Sequence, residues 1–411
     1  MKKLLLCTAA VALGLALSTP AKAAADGIKL GIGGDFKGYM VWDHQKTDVD
    51  LPGPVTSKAR GLDIVRATEI HFNGETTLDN GLTVGVYHEA EIDGGNNVDN
   101  FGNDVWAGSF LTRESYAYFS GGWGRFNFGK EDGSNYLLQV AAPSADSNLD
   151  GIRSSINPVN YALTDLDGLN TKTYNVAFRY ASDGLDYDNS LTGDYNKLTY
   201  LTPVFSGFQF GVSYTPDVND FQGDFFTQNG NPLNGGGLGG VHQNNQDNSW
   251  GSAWEGSGRY EGHFQNVSIT AGAGYTDVAL ERNTHVGFAN WKEWNAGVNA
   301  GWEAFNFGGV YTTDNGGAQG SSDSGSKTWV VGVDYTTGPY KLGGSYLHKD
   351  IHLNSTVNDL TTTRWAGGLV YTYGPGMTFR GSASFVKNQT TAGIGGDGTA
   401  TDILVGTQIN F

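Results

Sequence analysis

The sequence predicts an all-β fold, a transmembrane antiparallel β-barrel of 16 strands with short periplasmic turns and long external loops. Three observations predict it. Segments of about 8 to 15 residues alternate apolar and polar side chains, the period of a strand with two unlike faces. They are joined in turn by a very short connection and a long polar one, the rhythm of a membrane barrel. Glycine (62 residues) and aromatics (12%) are abundant, yet no apolar run of about 18 residues follows residue 25. A chain of this kind crosses a bilayer with strands, because in lipid only helices and closed sheets satisfy every backbone polar group.

The first element is a leader. Lys2 and Lys3 form a basic start, Leu4 to Leu17 an apolar stretch, and Ala21, Ala23 and Ala25 the small residues of a cleavage site. Residues 1–23 read as a signal peptide, with cleavage at 25 the alternative, and residues 24–411 as the barrel. Cys7, the single cysteine, leaves with the leader, which excludes disulfides and thiolate metal sites. The net charge of −17 becomes more negative once Lys2, Lys3 and Lys22 are removed, which argues against nucleic acid as a partner.

Strands are expected at 27–42, 62–78, 82–93, 110–120, 123–130, 195–203, 207–216 and 249–262. The second half supplies 264–277, 291–303, 305–314, 327–337, 339–350, 362–374, 376–388 and 400–411. Tight turns fall at Asp79-Asn80-Gly81, Gly121-Gly122, Pro203 to Gly207, Gly262-His263, Ala304, Gly338-Pro339 and Gly374-Pro375-Gly376. Glycine and asparagine supply the positive φ of a hairpin, and proline its fixed φ. Long loops alternate with these turns, and an even strand count returns both termini to the periplasmic side.

Each strand's parity reads separately. In the first, Ile28, Leu30, Ile32, Phe36, Met40 and Trp42 share the face expected toward lipid, and Lys29, Asp35, Lys37 and Tyr39 the face toward the lumen. Trp123, Phe126, Tyr200, Tyr335, Tyr373 and Phe411 sit where a girdle at the inner membrane boundary belongs. A soluble β-sandwich would have to bury the polar face that nearly every strand carries. In the last strand Ile403, Val405, Thr407, Ile409 and Phe411 are the apolar face; an amphipathic strand ending on an aromatic fits a closed sheet in which it is paired.

The final Phe411 resembles the ending of Gram-negative outer-membrane barrels, in which the assembly machinery reads the last strand. Further resemblance is carried by Glu69–Gly85 (EIHFNGETTLDNGLTVG), Trp123–Gly133 (WGRFNFGKEDG), Asn196–Pro203 (NKLTYLTP) and Phe208–Tyr214 (FQFGVSY). With these segments the chain resembles the general diffusion porins of Gram-negative bacteria, the alphaproteobacterial trimeric type, from the leader through Phe411. The resemblance implies a water-filled channel for small hydrophilic solutes, a homotrimer, contacts with outer-membrane lipid and lipopolysaccharide, the barrel-assembly machinery as a partner through Phe411, and no chemistry.

It also implies that the third long loop, residues 131–194, folds into the barrel and sets the constriction. That loop supplies Glu131, Asp132, Asp146, Asp150, Asp165 and Asp167 as candidate acids. Lys29, Lys37, Arg125, Arg364 and Arg380 have inward parity and are candidate wall bases; Arg66 and Arg113 join them, although simple parity points both outward, so that either a bulge shifts the register or they sit above the apolar band. Acids facing bases across a narrow lumen would order water and filter solutes by charge. Within the loop Thr173 to Ser182 reads as a strand, an extra hairpin or cap.

Other constellations carry less. Thr313-Asp314-Asn315-Gly316 and Gly395-Gly396-Asp397-Gly398 offer oxygens for calcium in external loops, but turn chemistry accounts for them equally and no cofactor is expected. Gly235 to Gly240 lacks the lysine of a phosphate loop. His71 faces in and His88 out, so they do not converge, and no acid, base and nucleophile set is visible. The expected function is passive diffusion of ions and small solutes with mild cation preference. A solute-specific channel for sugar or anion is the rival, a barrel enzyme a weaker one. An aromatic stacking track or a lysine-rich eyelet would favour the rival.

Overall fold

Alternation gives each strand one apolar and one polar face, and pairing those strands edge to edge until the ends meet removes every free edge. A computed structural model describes residues 27–47, 60–92, 110–150, 185–189, 191–218, 249–283, 288–317, 325–354, 358–390 and 397–411, together with 152, 156–159, 162–165 and 172–175. The first half of the wall is β1 (Lys29–Thr47), β2 (Leu62–Thr77), β3 (Thr83–Ile92), β4 (Phe110–Gly121) and β5 (Gly124–Lys130). Two short helices, α1 (Ser134–Leu138) and α2 (Ser147–Asp150), and a hairpin, β6 (Ala162–Asp165) with β7 (Lys172–Asn175), belong to the third loop.

The wall resumes with β8 (Asn196–Leu201), β9 (Phe208–Thr215), β10 (Trp250–Phe264), β11 (Val267–Leu280), β12 (Trp291–Trp302) and β13 (Phe305–Asp314). It ends with β14 (Ser326–Thr337), β15 (Tyr340–Asn354), β16 (Asn358–Gly374), β17 (Met377–Thr390) and β18 (Gly398–Asn410). Leaving out the loop hairpin, 16 antiparallel strands form one closed barrel in which each pairs its sequence neighbour and β18 closes on β1. All sixteen expected strands are present.

One turn differs. The hairpin expected at Gly262-His263 lies instead at Gln265-Asn266, because Gln265 adopts φ 55° and lets β10 run on to Phe264. The turn at Pro203 to Gly207 closes on Ser206 and Gly207, with φ 51° and 85°, between reciprocal 2.9 Å hydrogen bonds of Phe205 and Phe208. Thr173 to Asn175 falls in β7; residues 176–182 lie outside the described residues, as do the loop glycines 235–240.

The outer face is apolar: Leu30, Ile32, Phe128, Trp254, Val298 and Ile403 are each exposed on it. Aromatics gather at the short-turn end, where Trp123, Phe126 and Tyr200 pack at 4.9 to 6.5 Å and Phe305 meets Tyr335 at 4.7 Å. The terminal residue joins the seam, since Phe411 N–H donates to Gly34 O and Gly34 N–H to Phe411 O, both at 3.0 Å.

The inner face is less polar than the expectation of a polar face on nearly every strand implied. Tyr39, Val41, Ala67 and Leu404 of the wall enclose Leu149 and Ile156 of the third loop, and Val310, Val330 and Leu347 enclose Ala142 and Tyr187. These inward apolar residues are the seats of the loop.

Candidate functional site

The chain leaves the wall after Lys130, just past Gly129, whose φ of 136° and the 2.5 Å at which a Cβ would stand from Ser115 O exclude a side chain. Residues 134–150 and 156–159 of the third loop then run inside the barrel, along the inward faces from β9 round to β1. Ser134 N–H donates to Ser213 Oγ on β9 at 2.8 Å, and Asn135 Nδ2 to Thr276 Oγ1 on β11 at 2.6 Å. Asn299 of β12 donates to Ala141 O at 2.7 Å, and Gln45 of β1 to Pro158 O at 3.1 Å.

Inward glycines make room for it. A Cβ on Gly211 would stand 2.9 Å from Ser134 Cβ, on Gly272 2.9 Å from Val140 Cγ2, on Gly297 2.7 Å from Val140 O and on Gly343 2.7 Å from Ala145 N; Gly332 faces the Pro143 carbonyl more closely still. A track of absent side chains on β9, β11, β12, β14 and β15 thus lets the loop lie flush on the wall.

Several residues expected to face water are instead anchors. Asp146, 2% exposed, accepts from Tyr39 Oη at 2.8 Å, Arg380 Nη1 at 2.7 Å, Ser382 Oγ at 3.2 Å and Asn148 N–H at 3.0 Å. Arg364, 1% exposed, donates Nη1 to Leu149 O at 3.2 Å and Leu185 O at 3.1 Å, a clamp on two segments of the loop. Glu131, 1% exposed, accepts from Asn127 Nδ2 at 2.6 Å, and its carbonyl from Lys197 Nζ. Burial pushes the Glu131 carboxyl up to about 7, against Asn127 and Lys197, which favour its charged form. Asp132 is half-buried, and its N–H donates to Glu114 Oε1 at 3.4 Å. Asp150 lies in α2 and Asp165 in β6, with side chains outside the described residues; Asp167 lies wholly outside them.

The bases divide. Lys29 is exposed at the start of β1, in register with Glu75. Lys37 is buried inside, 3.2 Å from Asp35 and 3.8 Å from Glu69. Arg125 lies over the Tyr118 ring at 4.0 Å and donates to Asn127 Oδ1 at 2.6 Å. Arg113 is the extra residue of a bulge, between Glu89↔Glu114 and Ala90↔Thr112, which turns it inward to Asp194 at 3.4 Å and Glu91 at 3.9 Å. Arg66 has no such bulge: opposite Gly38, it stands exposed on the outer face and is not a pore-wall base.

Between β1 and β5 the inner wall carries a polar surface of which sequence reasoning had placed His71 but missed the acids around it. Glu69, His71, Glu89, Glu91 and Glu114 all face in, as their registers require, and Tyr87, Tyr116 and Tyr118 continue the row at ring spacings of 5.4 and 6.4 Å. Strand parity would have found them. In the loop at Asp314, Oδ1 accepts from Gly316 N–H at 2.7 Å and Trp291 Nε1 at 3.1 Å, so its oxygens serve the turn.

A loop docked inside a sixteen-stranded wall narrows a lumen too wide for side chains to fill, and leaves a polar passage. The architecture is that of solved porins. The anion-selective porin of Comamonas acidovorans superposes with a TM-score of 0.54 at 15% identity, covering 93% of this chain and all of that one. A porin refined at high resolution gives 0.52 at 14%, and a mutant of the Rh. blastica porin 0.51 at 15%, with the same coverage. No curated protein sequence matches the chain. A family model described as Gram-negative porin matches residues 8–391. The chain therefore belongs to the Gram-negative porin family, channel proteins and not enzymes.

Proposed function

We propose that the protein is a general diffusion porin of the outer membrane, passing ions and small hydrophilic solutes through a water-filled lumen with mild cation preference. The observation that carries this is the charge of the inner wall between β1 and β5: Asp35, Glu69, Glu89, Glu91 and Glu114 of the wall and Asp132 of the loop stand there against Lys37, Arg113 and Arg125. Carboxylate excess concentrates cations in a narrow aqueous passage. The Comamonas relative bears the description anion-selective, so selectivity follows from each lumen's own charges. Reversal potentials across a planar bilayer in a salt gradient test this: a cation-selective sign is expected, and an anion-selective sign refutes it.

A solute-specific channel would need open aromatic faces. Tyr116 and Tyr118 are only 7% and 4% exposed, with Arg125 over the Tyr118 ring, which favours the unspecific reading. The reading needs no cofactor.

The same reading includes a homotrimer. β5 and β8 have seven and six residues, so they advance about 20 to 23 Å along the strand and less once tilted, below the apolar band of about 25 Å. Such a low wall calls for covering protein. Mass in detergent without heating is expected at three chains; a monomer refutes it.

A further inference from the structure

Glu69, His71 and Glu89 make a second kind of site on this inner wall. Glu69 and His71 are two apart on β2, hence on one face, and Glu89 of β3 stands directly opposite His71 in the register. His71 Nε2 lies 3.6 Å from Glu69 Oε2 and 3.6 Å from Glu89 Oε2, and one ligand atom from each of the three lies within 4.8 Å of the others. That nitrogen is buried and has no hydrogen-bond partner among the described residues. Two carboxylate oxygens thus flank one imidazole nitrogen at a spacing too long for hydrogen bonds. Two ligand atoms on one metal at about 2.1 Å each stand roughly 3.0 to 3.5 Å apart, close to this spacing.

Neighbours orient the set as outer ligands do. Tyr87 Oη donates to Glu89 Oε2 at 3.1 Å, and Lys37 approaches the other oxygen of Glu69, Oε1, at 3.8 Å. Asp35, Glu91 and Glu114 add negative charge, and Lys37 and Arg113 offset part of it.

We propose that Glu69, His71 and Glu89 bind a divalent transition-metal ion of the zinc class on the lumen wall, and that its charge lowers cation flow past it. One imidazole and two carboxylates suit such an ion, whereas magnesium and calcium prefer all-oxygen sites. Three protein ligands leave the remaining positions open to lumen water. The binding stands independently of the channel reading; only the effect on flow rests on it.

The test is equilibrium dialysis of the detergent-solubilised full chain with zinc alone, and with cobalt for its ligand-field spectrum, alongside single-channel recording during zinc addition. One saturable ion per chain is expected, with His71→Asn and the double variant Glu69→Gln, Glu89→Gln each weakening it at least tenfold. His88→Asn, on the outer face, is expected to bind as the wild type does. Heat-modifiable migration on gels confirms that each variant is folded. Absence of a saturable ion, or unchanged binding by folded His71→Asn, overturns the site. Intact binding without a change in conductance overturns the proposed effect on flow and leaves the binding established. Magnesium at equal concentration is expected to act only by screening; a magnesium effect equal to that of zinc overturns the metal class.

Discussion

Replacing Asp146 tests whether the loop is held in the lumen by its buried anchor. Asp146 accepts from Tyr39 Oη, Arg380 Nη1, Ser382 Oγ and Asn148 N–H, and the Arg380 side chain is 9% exposed. Asp146→Ala leaves that guanidinium without its carboxylate in a dry seat, a loss of about 3 to 5 kcal/mol. At about 1.4 kcal/mol per tenfold, the ratio of docked to undocked loop falls roughly a hundredfold or more. The wall does not need this contact, because its hydrogen bonds run strand to strand. The cost therefore appears as loop release, not as barrel unfolding. Asp146→Asn keeps the shape and loses the charge, at about 1.5 to 3 kcal/mol. Recording in planar bilayers is expected to give larger current noise and a raised mean conductance, greater for alanine than for asparagine. Adding Arg380→Met to Asp146→Ala is expected to recover part of the loss, since removing both members of a buried pair costs less than removing one. Wild-type noise and conductance in Asp146→Ala, or a double variant worse than the sum of the singles, would refute the reasoning.

The same loop gives a pH dependence through Glu131. Its folded value is raised to about 7, so folding takes up a proton: the stabilisation is complete below the ordinary carboxylate range and is lost as pH rises through about 7. Proteolysis of the loop is expected to be slower at pH 5 than at pH 8, and Glu131→Gln to remove that difference; an unchanged difference in the variant counts against it. Gly332→Leu places a side chain where the Pro143 carbonyl lies and is expected to displace the loop and alter conductance, while the outward Val331→Leu leaves it alone. Deleting Phe411 removes two backbone hydrogen bonds to Gly34, about 1 kcal/mol each. If the residue is also an assembly signal, the yield of membrane-inserted barrel falls far more than thermal stability does, and equal losses would show that it is not.

Strand number, strand order and the two faces of the wall were legible from the sequence, because side-chain alternation is a local property with a period of two and hairpin turns carry their own chemistry. Even the ambiguity at Arg113 was visible, since an inward role for a residue of outward parity requires a bulge, and β4 has one there. Arg66 obeyed parity and stayed outside. The boundary of β10 was missed because Gln265, not a glycine, takes the positive φ.

The sequence determined by itself a closed sheet of two-faced strands and a long loop rich in acids. Only the tertiary structure decided that two of those acids, Glu131 and Asp146, are held away from water. Asp146 and Arg380 are 234 residues apart and are joined solely by the loop's path through the lumen, so their partnership leaves no local trace. The glycine track under the loop is equally silent, since a missing side chain reports a close approach without saying by what. Glu69, His71 and Glu89 converge because the register of β2 on β3 sets His71 directly opposite Glu89, with Glu69 on the same face. Face is set by neighbours in the chain; contact is set by closure of the barrel and by the seat that its inner wall offers the loop.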